Sequence, residues 1–581
     1  MKPISKEKEN VLLKLKTKNF CALLLCGLLL GGCSALYGQG GSGRGGSSGG
    51  GATTSGGGDT KARARREAEA KARKQQAAAK AAALAKTRAA AKAKPTETTV
   101  PDTKPVITGN EVQLRTNAPL ITMRLMFMTG AADDPNGKEG VAALTAAMLS
   151  RGGSRALTYE QIVGAMYPLA TSFGEQVDKE MTVFAGTTHI DNLDVYYNLT
   201  RQMLLEPGFR EDDFARLKDE ALNYLKTSLR EENDEELGKE ALYLNIYGPA
   251  HPYGHQNTGT VSSLESLTLQ DLKDFYATNY TQANLVLGLA GGFPPAFPAR
   301  VKGDFAKLPA GAATARKIPA PELAPGLKID IIQRETRSTA ISLGFPLSIN
   351  RADKDWPALA LVASYFGQHR SSNSYLYQRL RETRGLNYGD YAYIEYFPRG
   401  MFQFQPDPNL GRQQQIFQIW IRPVEAKDGH FALRAALYEY DKLVREGLTA
   451  TAFASTRDFL SKNVNLLVAD QDAQLGYLLD SRYYNTGEFT AYMKEALGRL
   501  TLEQVNAAIR KYLKSDQMRV VLVTKEAAAL RDAIVANKPS PITYNTPKTP
   551  DVMTEDKIIQ AYPINVGPAN VTVTPVEKLF Q

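Results

Sequence analysis

One order of predicted elements occurs twice along this chain, and this repetition constrains its fold more than any other feature. Residues 268–280 form a helical pattern that is followed by the apolar strand 285–289. Residues 501–512 form a second such pattern, followed by the strand 519–523. Both helical patterns open with Thr-Leu and end at a tyrosine. Because a repeat in the same order indicates duplicated units, the chain is expected to contain two similar halves.

The starts of the two halves also correspond. A strand at 121–128 and a helix at 140–150 open the first half, and a strand at 339–344 and a helix at 357–366 open the second. The length from 106 to 544 suits two domains of roughly 200 residues each. The predicted fold class is therefore α+β, with two duplicated α/β halves in which an antiparallel sheet is flanked by helices.

Changes in composition set the predicted boundaries. These are a lipoprotein signal peptide at 1–32, a lipid-anchored low-complexity tether at 33–105, an N-terminal domain at 106–301, an interdomain linker at 302–325, a C-terminal domain at 326–544 and a Pro-rich tail at 545–581. The Gly/Ser part of the tether cannot bury a core and predicts a disordered coil. The Ala/Lys/Arg part, 61–94, is interpreted as a solvated spacer, with a partner-binding or cell-wall-interacting arm as the alternative.

The N-terminus carries an export signal. Lysines precede an apolar run at 20–30 that is too short to span a bilayer. Residues 30–33 read Leu-Gly-Gly-Cys and resemble a lipobox, which implies cleavage before Cys33 and acylation of that cysteine. Ser34 in place of aspartate favours the outer membrane, facing the periplasm. An ordinary secretory signal with an incidental cysteine is the alternative.

Charge and cysteine content exclude two classes of function. Residues 1–105 carry a net charge of +13 and residues 106–581 a net charge of −4, so the basic residues argue for anionic lipid rather than nucleic acid as a partner. Cys21 and Cys26 would leave with the signal peptide. The mature chain would then keep Cys33 alone, which excludes disulfides and cysteine metal sites.

Several segments resemble the insulinase/pitrilysin-like zinc metallopeptidases, the inverzincins. They are 121–130, 140–151, the His-Pro-Tyr-Gly loop at 251–254 with Gly259, and 268–291. The resemblance is greatest to the bacterial branch with two halves per chain that is similar to mitochondrial processing peptidase. It implies a clam-like body that binds extended peptides, with 171–177 as a candidate sheet edge for peptide addition.

The zinc motif of that family is missing. Active members carry Gly-x-x-His-x-x-Glu-His on the helix that here begins at Gly140, and alanine stands at all three chemical positions, Ala143, Ala146 and Ala147. The third ligand of the family is a glutamate, and the matching positions hold Asn223, Tyr224 and Leu225. Of the histidines, only His251 and His255 are near each other, across a predicted turn. The chain is expected to bind no metal or other cofactor, with zinc held by a partner subunit.

The most specific match is at residues 375–388. It resembles the Leu-Arg-x-x-x-Gly-Leu-x-Tyr segment in which an arginine binds the substrate backbone and a tyrosine stabilises the carbonyl oxygen. The resemblance implies those roles for Arg381 and Tyr388. In the alternative reading, Glu382 and Arg384 form a solvated helix face, Gly385 caps the helix, and Tyr388 starts a strand for packing alone.

Three functions remain open, and whether the chain is an enzyme is undecided. The first is a non-catalytic subunit of an envelope peptidase that binds unfolded peptides and supplies Arg381 and Tyr388 to the zinc site of a homologous partner. The second is a non-enzymatic scaffold or peptide-binding envelope lipoprotein. The third is an independent zinc peptidase, which stoichiometric zinc in this chain alone would establish.

Overall fold

The computed structural model describes residues 104–400, 403–514 and 516–581. The predicted signal peptide, Cys33 and nearly all of the predicted tether lie outside these residues. No helix in the described ranges is long and apolar enough to cross a membrane.

Six strands form the first sheet, called sheet 1, in the order β1-β2-β6-β3-β5-β4. They are β1 (Val106–Ile107), β2 (Glu111–Arg115), β3 (Leu120–Phe127), β4 (Gly174–Val177), β5 (Thr182–His189) and β6 (Leu285–Gly291). The helices of this half are α1 (Val141–Arg151), α2 (Tyr159–Met166), α3 (Leu193–Leu205), α4 (Glu211–Asn223), α5 (Asp234–Tyr247), α6 (Val261–Ser266), α7 (Leu269–Asn279) and α8 (Phe297–Phe305). A π-helix, Tyr224–Leu229, continues α4.

The second sheet, called sheet 2, has the order β12-β7-β11-β8-β10-β9 and repeats this topology except at its first edge strand, since β12 pairs in parallel with β7 whereas β1 pairs antiparallel with β2. Its strands are β7 (Lys328–Gln333), β8 (Ser338–Leu347), β9 (Asp390–Tyr393), β10 (Gln415–Glu425), β11 (Arg519–Thr524) and β12 (Val571–Pro575). The helices of this half are α9 (Trp356–Gly367), α10 (Gly429–Glu446), α11 (Ala450–Leu467), α12 (Gln471–Tyr484), α13 (Phe489–Arg499), α14 (Leu502–Tyr512), α15 (Ala527–Val535) and α16 (Pro550–Ile559). A π-helix, Tyr377–Glu382, precedes β9.

The predicted duplication and fold class are confirmed. Thr268 and Thr501 are the N-caps of α7 and α14, and each accepts a hydrogen bond from the backbone three residues later in a capping box. Both sheets are mostly antiparallel but not wholly so, since β2 pairs in parallel with β6, and β7 with β11 and β12. The segment predicted as a tail contributes α16 and β12, so part of it completes sheet 2.

The two halves exchange one helix each. Helix α5, from the first half of the sequence, packs on β8 and β11 of sheet 2, and α12, from the second half, packs on β2, β3 and β6 of sheet 1. Gly238 in α5 permits the close approach, because a Cβ there would lie 3.2 Å from the Ser342 hydroxyl. Leu475, Leu478 and Leu479 of α12 are buried in one apolar cluster with strand residues of sheet 1. Each sheet therefore depends on the other half of the chain for the cover of one face.

Candidate functional site

Helix α1, the counterpart of the zinc helix, is held at its start by Asp134. The two oxygens of that carboxylate accept hydrogen bonds from the backbone N–H groups of Gly140 (2.6 Å) and Ala142 (2.9 Å). Gly140 has φ 94° and passes close to Thr258, where a Cβ would clash with the backbone. The helix position is therefore fixed although the metal ligands are missing.

A cleft of about 360 Å³ lies beside this helix, and it is called the alanine cleft. Ala143 and Ala147 line it, whereas Ala146 is fully buried in the core. Of the three positions matched to the third zinc ligand, Tyr224 lines the cleft and Leu225 is buried beneath it. Burial raises the pKa of Tyr224, so its phenol stays protonated.

Arg151 supplies the positive charge in the alanine cleft. Its Nη1 lies 2.6 Å from Glu220 Oε2, and its Nε lies 3.3 Å from Glu175 Oε1. The hydroxyl of Ser150 donates to the other oxygen of Glu175 at 2.5 Å. Two carboxylates in the cleft are thus already paired with a guanidinium, whose charge opposes the approach of a dication.

The residues of the alanine cleft do not fit zinc. A catalytic zinc site needs three protein ligands, usually imidazoles and carboxylates, around one point. In the described ranges, no group of three or more His, Cys, Asp or Glu side chains is arranged to hold a metal ion. His251 Nε2 lies 2.9 Å from the Pro319 carbonyl oxygen, and His255 Nε2 lies 3.1 Å from Asp134 Oδ2, so both rings are engaged in loop contacts.

Strand β4 forms the free edge of sheet 1 beside the alanine cleft. Glu175 on this strand lines the cleft, and Gln176 donates its side-chain amide to the carbonyl oxygens of Pro408 (2.9 Å) and Asn409 (3.0 Å) in the second half. The side chain of Asn257 donates to the Val177 carbonyl at 3.2 Å. The C-terminal end of this edge is therefore already capped.

Arg381 and Tyr388 lie in one corner of the second half, residues 377–390, called the 377–390 corner. Arg381 lies in the last turn of the π-helix, where its guanidinium lies 4.6 Å from the centre of the Tyr377 ring and 3.2 Å from Glu382 Oε1. Gly385 has φ 73° and turns the chain out of the helix. Tyr388 follows and is 79% exposed. A residue of this size, so exposed on a fixed turn, is available to another molecule.

Asn387 and Asp390 hold the loop that presents Tyr388. The Asn387 amide donates to Asp390 Oδ1 at 2.7 Å and to the Arg422 carbonyl at 2.9 Å, and its oxygen accepts from the Gly389 N–H. Asp390 is fully buried. Burial raises the pKa of Asp390 to about 8, against the opposing effects of the Asn387 hydrogen bond and of Arg422 and Arg381. Sequence reasoning missed both residues, because a polar pair at the start of a strand carries no distinctive pattern.

Replacement of Asp390 by asparagine is expected to change how stability depends on pH. In the folded state Asp390 keeps its proton up to about pH 8, whereas in the unfolded chain it loses that proton above its ordinary pKa. The free energy of unfolding therefore falls as pH rises from that ordinary pKa toward 8. The loss is about 1.4 kcal/mol per pH unit within this window. Urea unfolding at pH 5, 6, 7 and 8 should give a flatter profile for Asp390→Asn than for the parent. The exposed Asp551→Asn control should keep the parent slope, and equal slopes for both variants would contradict the assignment.

The solvated-face alternative is wrong for Arg384. Its side chain is completely buried, with Nε 2.8 Å from Asp556 Oδ1 and Nη2 2.8 Å from Glu555 Oε2. Strand β9 also begins at Asp390 rather than at Tyr388. The helix-face pattern was misleading because the acidic partners lie on α16, more than 160 residues away in the sequence.

Comparison with known proteins shows which family this chain resembles. A family model described as the peptidase M16 inactive domain matches residues 266–460. The crystal structure of a peptidase M16 inactive domain from Pseudomonas fluorescens is 27% identical and covers 72% of this chain and 97% of that chain, with a TM-score of 0.62. The similarity of this chain is to the insulinase-like M16 peptidases. The matched model, over residues 266–460, is described as an inactive domain, and the zinc positions on α1 hold alanine.

Other similar proteins have lower sequence identity to this chain. An uncharacterized zinc protease of Mycobacterium leprae is 22% identical over 59% of this chain and 74% of its own length. The structure of a protease from Helicobacter pylori has a TM-score of 0.60 at 15% identity and covers 72% of this chain and 99% of that chain. The periplasmic protease PqqL from Escherichia coli has a TM-score of 0.58 at 14% identity, with 81% of this chain and 51% of that chain covered. The last two show a shared fold.

Proposed function

We propose that this chain is the zinc-free subunit of a two-chain envelope peptidase, in which it binds an extended peptide and presents Arg381 and Tyr388 to the zinc site of a homologous partner. The observation that carries the proposal is the exposure of Tyr388, 79%, on a loop held by hydrogen bonds of Asn387, one of them to the buried Asp390. The alanine cleft, with its paired Arg151, supports the assignment of zinc to the partner rather than to this chain. We also propose that this chain is more similar to the bacterial branch that resembles mitochondrial processing peptidase than to other branches of the family.

The chemistry of the two side chains suits this role. Hydrolysis of a peptide bond places negative charge on the carbonyl oxygen, and donors already oriented toward that oxygen stabilise the charge in a site from which water is excluded. The Tyr388 hydroxyl is a single donor to this oxygen. The Arg381 guanidinium has several N–H groups with which it can hold the substrate backbone. The carbonyl and N–H groups of a strand edge would align the peptide with little preference for sequence.

The proposed location on a membrane would favour association of the two subunits. Acylation of Cys33 would hold the chain on the membrane, with the outer membrane facing the periplasm as the proposed site. Confinement of two subunits to one envelope raises their effective concentration without any new contact between them. The anchor would thereby favour a complex that is weak in dilute solution.

The test is a joint assay with a zinc-containing homologous chain from the same genome and an unfolded peptide as substrate. The mixture should cleave the peptide, and Arg381→Ala and Tyr388→Phe should each lower kcat/KM about tenfold to a hundredfold, the range for loss of a hydrogen bond to a charged group. Arg445→Ala and Tyr167→Phe are matched controls, because Arg445 is largely exposed and Tyr167 is 84% exposed.

Two results would contradict the proposal. Cleavage that both site variants leave unchanged would remove the role of Arg381 and Tyr388 and favour the scaffold or peptide-binding alternative. Stoichiometric zinc in this chain alone, measured by metal analysis after purification, would favour an independent peptidase.

A further inference from the structure

The 377–390 corner is attached to the body by two arginines on either side of Arg381. Arg379 Nε lies 2.6 Å from Glu439 Oε1 on α10, and the Arg379 guanidinium also pairs with Glu555. Arg384 pairs with Glu555 and Asp556, each at 2.8 Å. Glu555 and Asp556 lie on α16, in the segment that the sequence presented only as a Pro-rich tail.

The side chains of Arg384 and Thr383 also support the π-helix itself. Arg384 Nη1 donates to the Arg379 carbonyl oxygen at 2.8 Å, and the Thr383 hydroxyl donates to the Gln378 carbonyl oxygen at 2.7 Å. A π-helix is a rare geometry that is frequent at functional sites. Here it sets the direction in which Arg381 leaves the backbone. The contacts of Arg384 therefore join the tail directly to the turn that carries Arg381.

The acidic pair has further interactions of its own. Asp556 is 3% exposed, and its second oxygen accepts a hydrogen bond from the Tyr544 hydroxyl at 2.7 Å. Against the opposing effect of burial, hydrogen bonds from Arg379 and Arg384 hold the pKa of Glu555 below its ordinary value. The Glu555 carboxylate is thus a charged acceptor for both guanidinium groups.

The tail also has contacts with the body that do not involve these ion pairs. Ile559 is fully buried with Phe431 and Ala435 of α10, and β12 is hydrogen-bonded to β7 along its whole length. Leu386 of the corner packs against the cluster around Ile559. Removal of the carboxylate charges would therefore leave the tail in place and loosen the corner, which separates a positioning role from a role in folding.

The structure assigns to Glu555 and Asp556 the positioning of Arg381: the C-terminal segment fixes the corner that the proposed function presents to a partner. This inference rests on that proposed function. The tail contains none of the residues matched to the family motif. The inference adds the prediction that it nevertheless helps to position the proposed site. Glu555 and Asp556 act through Arg379 and Arg384 and touch no substrate.

The first experiment uses the full-length chain without a partner. In the double variant Glu555→Gln/Asp556→Asn, backbone amides of residues 377–388 should exchange hydrogen about tenfold faster or more, while those of β10 keep the parent rate. Asp551→Asn, an exposed position on the same helix, is the control and should change neither. Glu555→Gln alone, at a carboxylate that is 20% exposed, provides a milder variant if the double variant unfolds. Parent-like exchange at 377–388 in folded variants would overturn the inference.

The second experiment uses the joint assay and a double-mutant cycle. The acidic-pair variant should lower kcat/KM about tenfold in the parent background and have no further effect in Arg381→Ala, because residues that act through one group are not additive. An equal loss in both backgrounds would mean a purely structural role and would overturn the inference. Faster exchange together with an Arg381→Ala variant of parent activity would instead contradict the proposed function and leave the attachment of the corner intact.

Discussion

Replacement of Arg412 by leucine is expected to lower the free energy of unfolding by about 3 to 5 kcal/mol, the range for breaking a buried ion pair. Arg412 precedes β10 in the second half, and its Nε and Nη2 lie 2.7 and 2.5 Å from the two oxygens of Asp178 in the first half. Its guanidinium also lies 3.6 Å from the centre of the Tyr396 ring. Leucine would leave the Asp178 carboxylate, which is 0% exposed, without its charged partner.

Urea unfolding at constant pH measures this loss. Arg445→Leu is the matched control, since the Arg445 side chain is 61% exposed and its substitution should change stability by about 0.5 kcal/mol or less. The double variant Arg412→Leu/Asp178→Leu should be less destabilised than Arg412→Leu, because no unpaired charge remains buried. A loss no larger than that of the control would show that water reaches this pair.

Leu479→Ala is expected to cost about 2 to 5 kcal/mol through lost burial and the cavity that remains. Leu479 is fully buried on α12, beneath sheet 1. A Cβ placed on Gly288 of β6 would lie 3.0 Å from Leu479 Cδ1, so strand and helix are already in close contact and have little room to collapse. The destabilised contact joins helix and sheet from different halves, and both halves should therefore lose stability together.

The measurement is thermal or urea unfolding followed by two probes, one in each half. Leu466→Ala on the neighbouring α11 is the control, because Leu466 is 59% exposed. One common transition, shifted to lower urea in Leu479→Ala, is the expected result. Two separate transitions, with only the first half destabilised, would mean that the exchanged helices do not couple the halves.

Local sequence signals were sufficient to predict the repeat and to recognise that the zinc motif is missing. The boundaries of α7 and α14 follow from capping boxes at Thr268 and Thr501, which need only residues three positions apart. Alanine at 143, 146 and 147 excludes imidazole and carboxylate chemistry at those positions whatever the surroundings are. Such inferences depend on side-chain type and on helical spacing, and both can be read directly from the sequence.

The lining of the alanine cleft was not predictable in the same way. Arg151, Glu175 and Glu220 come from a helix, a strand and another helix, and each looks like an ordinary surface charge. Their grouping depends on how α1, β4 and α4 pack. Tyr224, the one of the three candidate positions that lines the cleft, is the first residue of a π-helix, a geometry that has no clear sequence signal.

The sequence by itself determined the duplicated α+β halves, the absence of the zinc motif and the identity of Arg381 and Tyr388 as candidates, since these follow from periodicity, caps and residue type. Only the tertiary structure decided that the halves exchange helices α5 and α12, that Arg384 is buried, and that the tail supports the corner. The physical reason is that each of these contacts joins residues separated by more than 90 positions. Burial and ion pairing at such distances are set by the packing of whole elements, which no local pattern encodes.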